Sequence, residues 1–226
     1  HMSRYGLMTG RYPFRINVGK WGKSPLINEG EITLPSLLRS AGYRTAMVGK
    51  WQVGFEERGY DKPLRGGPFD RGFESFFGIR ASTDIPPYFY IRDTRAVSPP
   101  TDSIEANSSE GWSPIQGEFW RAGGIAPGLE LKDVLPRFTD EACDVIKSHQ
   151  GNAKPLMLYL AYPAPHTPWL PSKPFAGKSG AGMYGDFAMM VDAMIGRVLD
   201  QLDESGMAND TKVIFTSDNG PEWYES

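Results

Sequence analysis

The sequence predicts an α/β domain with a mainly parallel central sheet flanked by helices. Three observations predict it. Helix-like and strand-like segments alternate in the regular parts of the chain. The run PLMLYLAY is continuously apolar at strand length, as expected of a strand covered on both faces. Polar residues gather where strands end, which is where open α/β sheets place their sites.

The elements follow in order. TLPSLLRSAGY reads as a short helix, with Thr33 as N-cap, Pro35 in the first turn and Gly42 at its end. RTAMVGKW follows as a short buried strand. Residues 54–135 are rich in glycine, proline and aromatics, and are expected to form a long, ordered, functional loop. FTDEACDVIKSH has helical spacing, with Phe138, Ala142, Val145 and Ile146 on one face. The longest helix is YGDFAMMVDAMIGRVLDQLDESG. Its Phe187, Met190, Val191, Met194, Ile195, Val198, Leu199 and Leu202 recur at three and four, and Gly206 ends it. Its methionines read as core. TKVIFTSDNG reads as a strand running into a turn.

Composition sets the class. The 226 residues are 40% hydrophobic and 23% charged, which suits a globular chain with a real core. The net charge of −3, with scattered basic residues, argues against a nucleic-acid partner. No apolar run approaches the roughly 20 residues of a membrane span. The lone Cys143 excludes an internal disulfide and reads as a small helix residue, not a catalytic thiol.

Three strand ends carry the candidate chemistry. Lys50 follows AMVG, His166 lies just past LMLYLAYPAP, and Asp218 and Asn219 end VIFTS. A cation, an imidazole and a pair of oxygen donors suit an anionic substrate held by lysine and a hard metal ion, with histidine moving a proton. Read singly, DNG is a turn and Lys50 a solvated lysine; their combination in this order is what informs.

SRYGLMTGRYP, GYRTAMVGKW, PHTPW and TSDNGP resemble four successive signatures of the formylglycine-dependent sulfatases, the arylsulfatase A-like branch of the alkaline phosphatase superfamily. The connecting segments GPFDRGFESFFGIRASTDIPPYFYI and FAGKSGAGMYGDF resemble that branch too, so the resemblance covers essentially the whole chain. It implies an alkaline phosphatase/sulfatase-like fold, hydrolysis of aryl or carbohydrate sulfate esters, a calcium ion and a formylglycine nucleophile. Arg4 matches the arginine that orients the formylglycine, although by itself it reads as a surface arginine near a terminus. Lys50 matches the lysine on a sulfate oxygen, and His166 the histidine on the sulfate and the leaving-group oxygen. Where the family carries a histidine after Gly-Lys-Trp, this chain has Gln52, which hydrogen-bonds but cannot shuttle a proton near neutral pH. Ser82 matches a serine that supports that histidine. Asp218 and Asn219 match two calcium ligands, their oxygen donors suiting calcium over zinc. Asp84 and Tyr88 are expected near the pocket mouth, with Asp84 contacting substrate.

Against the family pattern, His1 and Met2 read as a cloning remnant, and 3–226 as one sulfatase-like domain. The nucleophile position falls one residue before His1. The paired aspartates of the family's first strand, a later lysine and the small C-terminal domain have no counterpart. The chain is therefore expected to lack the formylglycine, to bind calcium weakly, to be inactive or severely impaired, and to self-associate through an exposed sheet edge. The parent protein is expected to be periplasmic or secreted. Two rival readings stand beside this one. One is a non-catalytic anion-binding protein. The other is a repurposed esterase or phosphoesterase, for which Ser82 or Ser217 beside His166 is the only nucleophile and no G-x-S-x-G elbow exists. With only His149 and His166 besides His1, a two-metal site is poorly supported.

Overall fold

The computed structural model describes residues 1–221 apart from 23, 112 and 114. In chain order the elements are α1 (Met2–Thr9), α2 (Leu34–Ser40), β1 (Arg44–Lys50), β2 (Ser75–Ile79), β3 (Ile91–Arg92), β4 (Arg95–Ala96), β5 (Asp102–Ile104), β6 (Gly123–Ile125), α3 (Val134–His149), β7 (Leu156–Ala161) and α4 (Gly182–Glu204). The main sheet has the order β4-β3-β2-β1-β7. β1 is parallel to both β2 and β7, and β3 and β4 add an antiparallel edge. The sheet is thus mixed and mostly parallel, as the alternation of elements predicts. β5 and β6 form a separate two-stranded ribbon.

Alternation along the strands gives the sheet two buried faces. Met47 lies level with Phe76, and Val48 with Phe77. Met47 and Phe76 pack on one side with Tyr5 and Met8 of α1, Trp51, Phe55 and Phe73. Val48 and Phe77 pack on the other side with Val134 and Phe138 of α3. α4 then covers α3, with Val198 and Leu202 against Ala142 and Ile146, and Phe187, Met190 and Val191 against Leu135. Met190 is core, as its spacing suggests, while Leu199 is exposed. α2 begins with a reciprocal cap: Thr33 Oγ1 accepts from the Ser36 amide at 3.2 Å, and Ser36 Oγ accepts from the Thr33 amide at 2.8 Å.

Three expectations are corrected. Residues 54–135, read as a loop, contain β2 to β6, and β2 is a direct partner of β1. The strand expected at 211–217 forms no ladder, and Val213, Ile214 and Phe215 are 57%, 81% and 80% exposed. A strand exists only as half of a pair, and among the described residues no strand lies beside this segment. β7, read as covered on both faces, is only partly buried over 156–160, because among the described residues it ends the sheet with β1 as its one partner.

The strand ends approach closely because their residues are small. Gly49 is level with Gly78 on β2 and Ala161 on β7. A Cβ on Gly49, which has φ 120°, would sit 2.1 Å from the Ala161 carbonyl oxygen. Near the start of α4, Asp186 accepts the backbone N–H groups of Gly177 at 2.7 Å, Lys178 at 3.1 Å and Ser179 at 2.8 Å. Those bonds, led by Ser179, hold its carboxyl below the ordinary range.

Gly49→Ala should cost about 3 kcal/mol through backbone strain and overpacking, seen as a melting temperature lowered by roughly 10 °C in calorimetry. Gly42→Ala, also at positive φ but with nothing within 4 Å, should cost only about 1 kcal/mol. The Asp186 contribution is present above the unfolded pKa and lost as pH falls through the lowered folded value. Asp186→Ala should therefore melt several degrees lower at pH 7, with the gap closing as pH drops below about 4. A gap that stays constant into acid would mean that the carboxylate charge is not what holds the loop.

Candidate functional site

Three neighbouring parallel strands point their carboxyl ends at one place. β1 ends on Lys50, Ser82 and Asp84 follow β2, and His166 follows β7. Such an edge is where open α/β sheets collect functional side chains.

Lys50 is 5% exposed, and its Nζ donates to Ser82 Oγ at 2.5 Å. Burial, with help from the Arg4 charge, lowers its pKa to about 8, while Asp218 and Asp84 oppose the shift. An ammonium has three hydrogens, so the Ser82 bond leaves two for an anion. Arg4 is buried rather than a surface residue. Its guanidinium donates from Nη1 to the Lys50 carbonyl at 2.6 Å and from Nε to Asp218 Oδ2 at 3.1 Å. It therefore ties α1, the end of β1 and the DNG turn together. Burial alone would raise the Asp218 carboxyl, but the cations of Arg4 and Lys50 and the Arg4 hydrogen bond outweigh it and hold the carboxyl below its ordinary range. Ser3 Oγ donates to the Asp218 carbonyl.

The 218–219 pair fits calcium in kind and not in number. Asn219 is exposed, with its Nδ2 donating to the Gly220 carbonyl at 2.7 Å. Calcium takes six to eight oxygens, and the described residues include no group of three or more His, Cys, Asp or Glu placed to hold an ion. No chemical step is assigned to a metal.

The loop carrying His166 is pinned on both sides. Thr167 Oγ1 and the Trp169 amide both donate to the Gly117 carbonyl, at 2.9 and 2.8 Å, and Trp169 Nε1 donates to the Pro165 carbonyl at 3.0 Å. His166 Nδ1 lies 2.7 Å from the Thr167 carbonyl. A carbonyl only accepts, so Nδ1 carries a hydrogen and proton traffic uses Nε2.

Asp84 and Tyr88, expected near the pocket mouth, are both buried. Asp84 Oδ2 accepts from Arg121 Nη1 at 2.5 Å, and the Asp84 carbonyl accepts from the same nitrogen at 3.2 Å and from the Arg121 amide at 3.3 Å. Tyr88 donates its hydroxyl to the Arg121 carbonyl at 2.8 Å. Asp84 Oδ1 is 3.7 Å from His166 Nδ1. Gln52 is buried at φ 52°, its amide donating to the Arg80 carbonyl at 2.9 Å. A non-glycine residue in that region is strained, and such strain concentrates at functional sites. Arg80 is itself buried against Glu57 Oε1 at 2.8 Å and over the Trp21 ring at 5.8 Å. Ser82 Oγ is engaged by Lys50 and Ser217 Oγ by the Asn219 carbonyl.

Sequence reasoning missed Arg121 and Arg80. Both lie in stretches without helix or strand period. A buried carboxylate needs a cation, but the burial of Asp84 that would have called for Arg121 is not marked in the sequence.

Comparison with known proteins identifies the family of the fold that carries these residues. The family model described as Sulfatase matches residues 1–226. An N-acetylgalactosamine-6-O-sulfatase from Bacteroides thetaiotaomicron is 30% identical over 252 residues, covering 97% of this chain and 49% of the relative. Arylsulfatase A from Homo sapiens is 32% identical over 228 residues, covering 97% and 42%. A solved structure from work on the metabolism of multiple glycosaminoglycans by Bacteroides thetaiotaomicron superposes with a TM-score of 0.81 at 29% identity, covering 97% of this chain and 52% of that one. The PsFucS1 sulfatase from Pseudoalteromonas sp. shares the fold, with a TM-score of 0.60 at 21% identity over 91% of this chain and 42% of that one. The chain spans about half the length of the curated relatives it matches. With a family match along its whole length, and with the strand-end residues drawn together in the fold, the chain belongs to the sulfatase family.

Proposed function

We propose that this chain carries the sulfate-binding and leaving-group half of a sulfate-ester hydrolase acting on aryl or carbohydrate sulfates. The observation that supports this best is Lys50, a buried ammonium with one hydrogen held by Ser82 and two left for an anion. Lys50 offsets charge on the sulfuryl oxygens as it builds in the transition state. His166, its Nδ1 hydrogen given to Thr167, delivers a proton from Nε2 to the departing oxygen. Arg4 fixes the Lys50 carbonyl and Asp218, so the cationic end of the site keeps its shape. The nucleophile that the family resemblance implies is a formylglycine, which these residues would serve. Calcium is the ion that Asp218 and Asn219 would suit, as two of a larger ligand set. Gln52, in place of the family's histidine, favours a second reading as an anion-binding protein without turnover.

Calorimetry with inorganic sulfate tests the binding, and release of a chromogenic aryl alcohol, with a carboxylic ester alongside, separates turnover from binding. Lys50→Ala should weaken sulfate roughly ten- to a hundredfold, as expected for a charged hydrogen bond. Affinity should hold below about pH 8, where Lys50 keeps its proton, and fall about tenfold per pH unit above it. Lys50→Arg, whose charge does not titrate there, should remove that alkaline limb. Unchanged affinity in Lys50→Ala would sink the reading, and hydrolysis of the carboxylic ester alone would replace it with an esterase.

The reading extends to association. The outer edge of β7 pairs with no strand among the described residues, and Val213, Ile214 and Phe215 are exposed. A second copy would cover them by strand addition. Sedimentation at tens of micromolar should show a dimer; a monomer there would overturn it.

A further inference from the structure

We propose that Asp84, clamped by Arg121, is a positioning residue that acts through His166, orienting its ring and favouring its doubly protonated form. Asp84 Oδ1 is buried and has no hydrogen-bond partner among the described residues, although Oδ2 is held by Arg121 at 2.5 Å. Buried polar oxygens are almost always hydrogen-bonded, so an exception calls for a reason. The reason is His166, whose Nδ1 lies 3.7 Å from Oδ1. That distance is too long for a hydrogen bond and close enough for a charge to act.

The two acceptors around Nδ1 divide the task. The Thr167 carbonyl, at 2.7 Å, fixes which nitrogen carries the hydrogen. The Asp84 carboxylate supplies the negative charge that stabilises the imidazolium. Arg121 stops that carboxylate from rotating, through bonds to its oxygen and to its carbonyl. Asp84, after β2, faces the ring at 3.7 Å; Arg121, just before β6, and Lys50, at the end of β1, both act on that same Asp84 carboxylate. With Lys50 and Arg121 both cationic, Asp84 is the charge that lets His166 become a further cation. The proposal rests on the reading of His166 as the leaving-group acid, since such an acid must hold its proton near neutral pH and release it from Nε2.

Histidine-labelled NMR tests it directly, because the chain has only three histidines, His1, His149 and His166. In Asp84→Asn the His166 pKa should fall by about one unit relative to the parent chain. Asp84→Glu should recover part of that shift, and Arg121→Gln, which unscreens the carboxylate, should raise it. His149, buried at the end of α3 with Nε2 2.8 Å from the Lys154 carbonyl, should keep its signal and so report an intact fold. An unmoved His166 in Asp84→Asn with His149 unchanged overturns the proposal. If Asp84→Asn does not fold, an unmoved His166 in Arg121→Gln overturns it instead. Weaker ligand binding in Asp84→Asn without any His166 shift also overturns it, and makes Asp84 a substrate contact. Sulfate calorimetry on the same samples keeps the two readings apart. A His166 shift without sulfate binding fails the sulfatase reading alone, and sulfate binding without the shift fails this proposal alone.

Discussion

A buried ammonium is the constraint on which the rest of this site depends. Lys50 is held out of water at the end of a parallel strand, where desolvation works against its charge. The fold compensates with oxygen. Ser82 Oγ takes one hydrogen, and the carboxylates of Asp218 and Asp84 lie close enough to favour the charged form. Each of those acids in turn is matched to an arginine, Asp218 to Arg4 and Asp84 to Arg121. The result is a patch in which charges alternate in sign, so no single cation or anion is left to bear its burial alone.

The sheet makes this patch attainable. Three parallel strands deliver Lys50, Ser82, Asp84 and His166 to the same edge only because their ends approach closely. Gly49, between Gly78 and Ala161, leaves no side chain in that gap. Its φ of 120° is open to glycine and costly to other residues, so the residue before the lysine is fixed by the geometry that places the lysine.

The sequence revealed much of this, for identifiable reasons. α3 and α4 were legible because their apolar positions repeat at three and four, β7 because it is an unbroken apolar run, and β1 because a short apolar core, AMV, follows a helix and its turn. β2 was hidden: SFFGI is short and sits among glycines and prolines, and only its register with β1 makes it a strand. The opposite error arose at 211–217, where a strand-like pattern lacks a neighbour among the described residues. Periodicity reports what a segment can do, and pairing decides what it does. The site divides in the same way. Lys50 and His166 could be read from strand-end motifs, and Asp218 and Asn219 from the DNG turn, although the strand expected before that turn does not form. Arg121 could not, because its bond to Asp84 spans 37 positions through a stretch without period. The burial of Asp84 was equally invisible, since nothing local separates a carboxylate at a pocket mouth from one held behind a histidine.

Those hidden residues bear on how the legible ones would act together. In the reading proposed here, a sulfate ester brings negative charge next to Lys50, the group whose proton is loosened by burial. Binding then favours the protonated lysine, by the same linkage that lets pH control binding. His166 has the opposite task, since it must give its proton up as the oxygen departs. A histidine stabilised only by the substrate would lose that support as sulfate leaves. A histidine facing Asp84 keeps a fixed partner throughout, and Arg121 moderates the partner's charge so that the proton is held without being trapped. The lysine is thus answered by the ligand and the histidine by the protein, which separates binding from proton transfer within a patch only a few side chains wide.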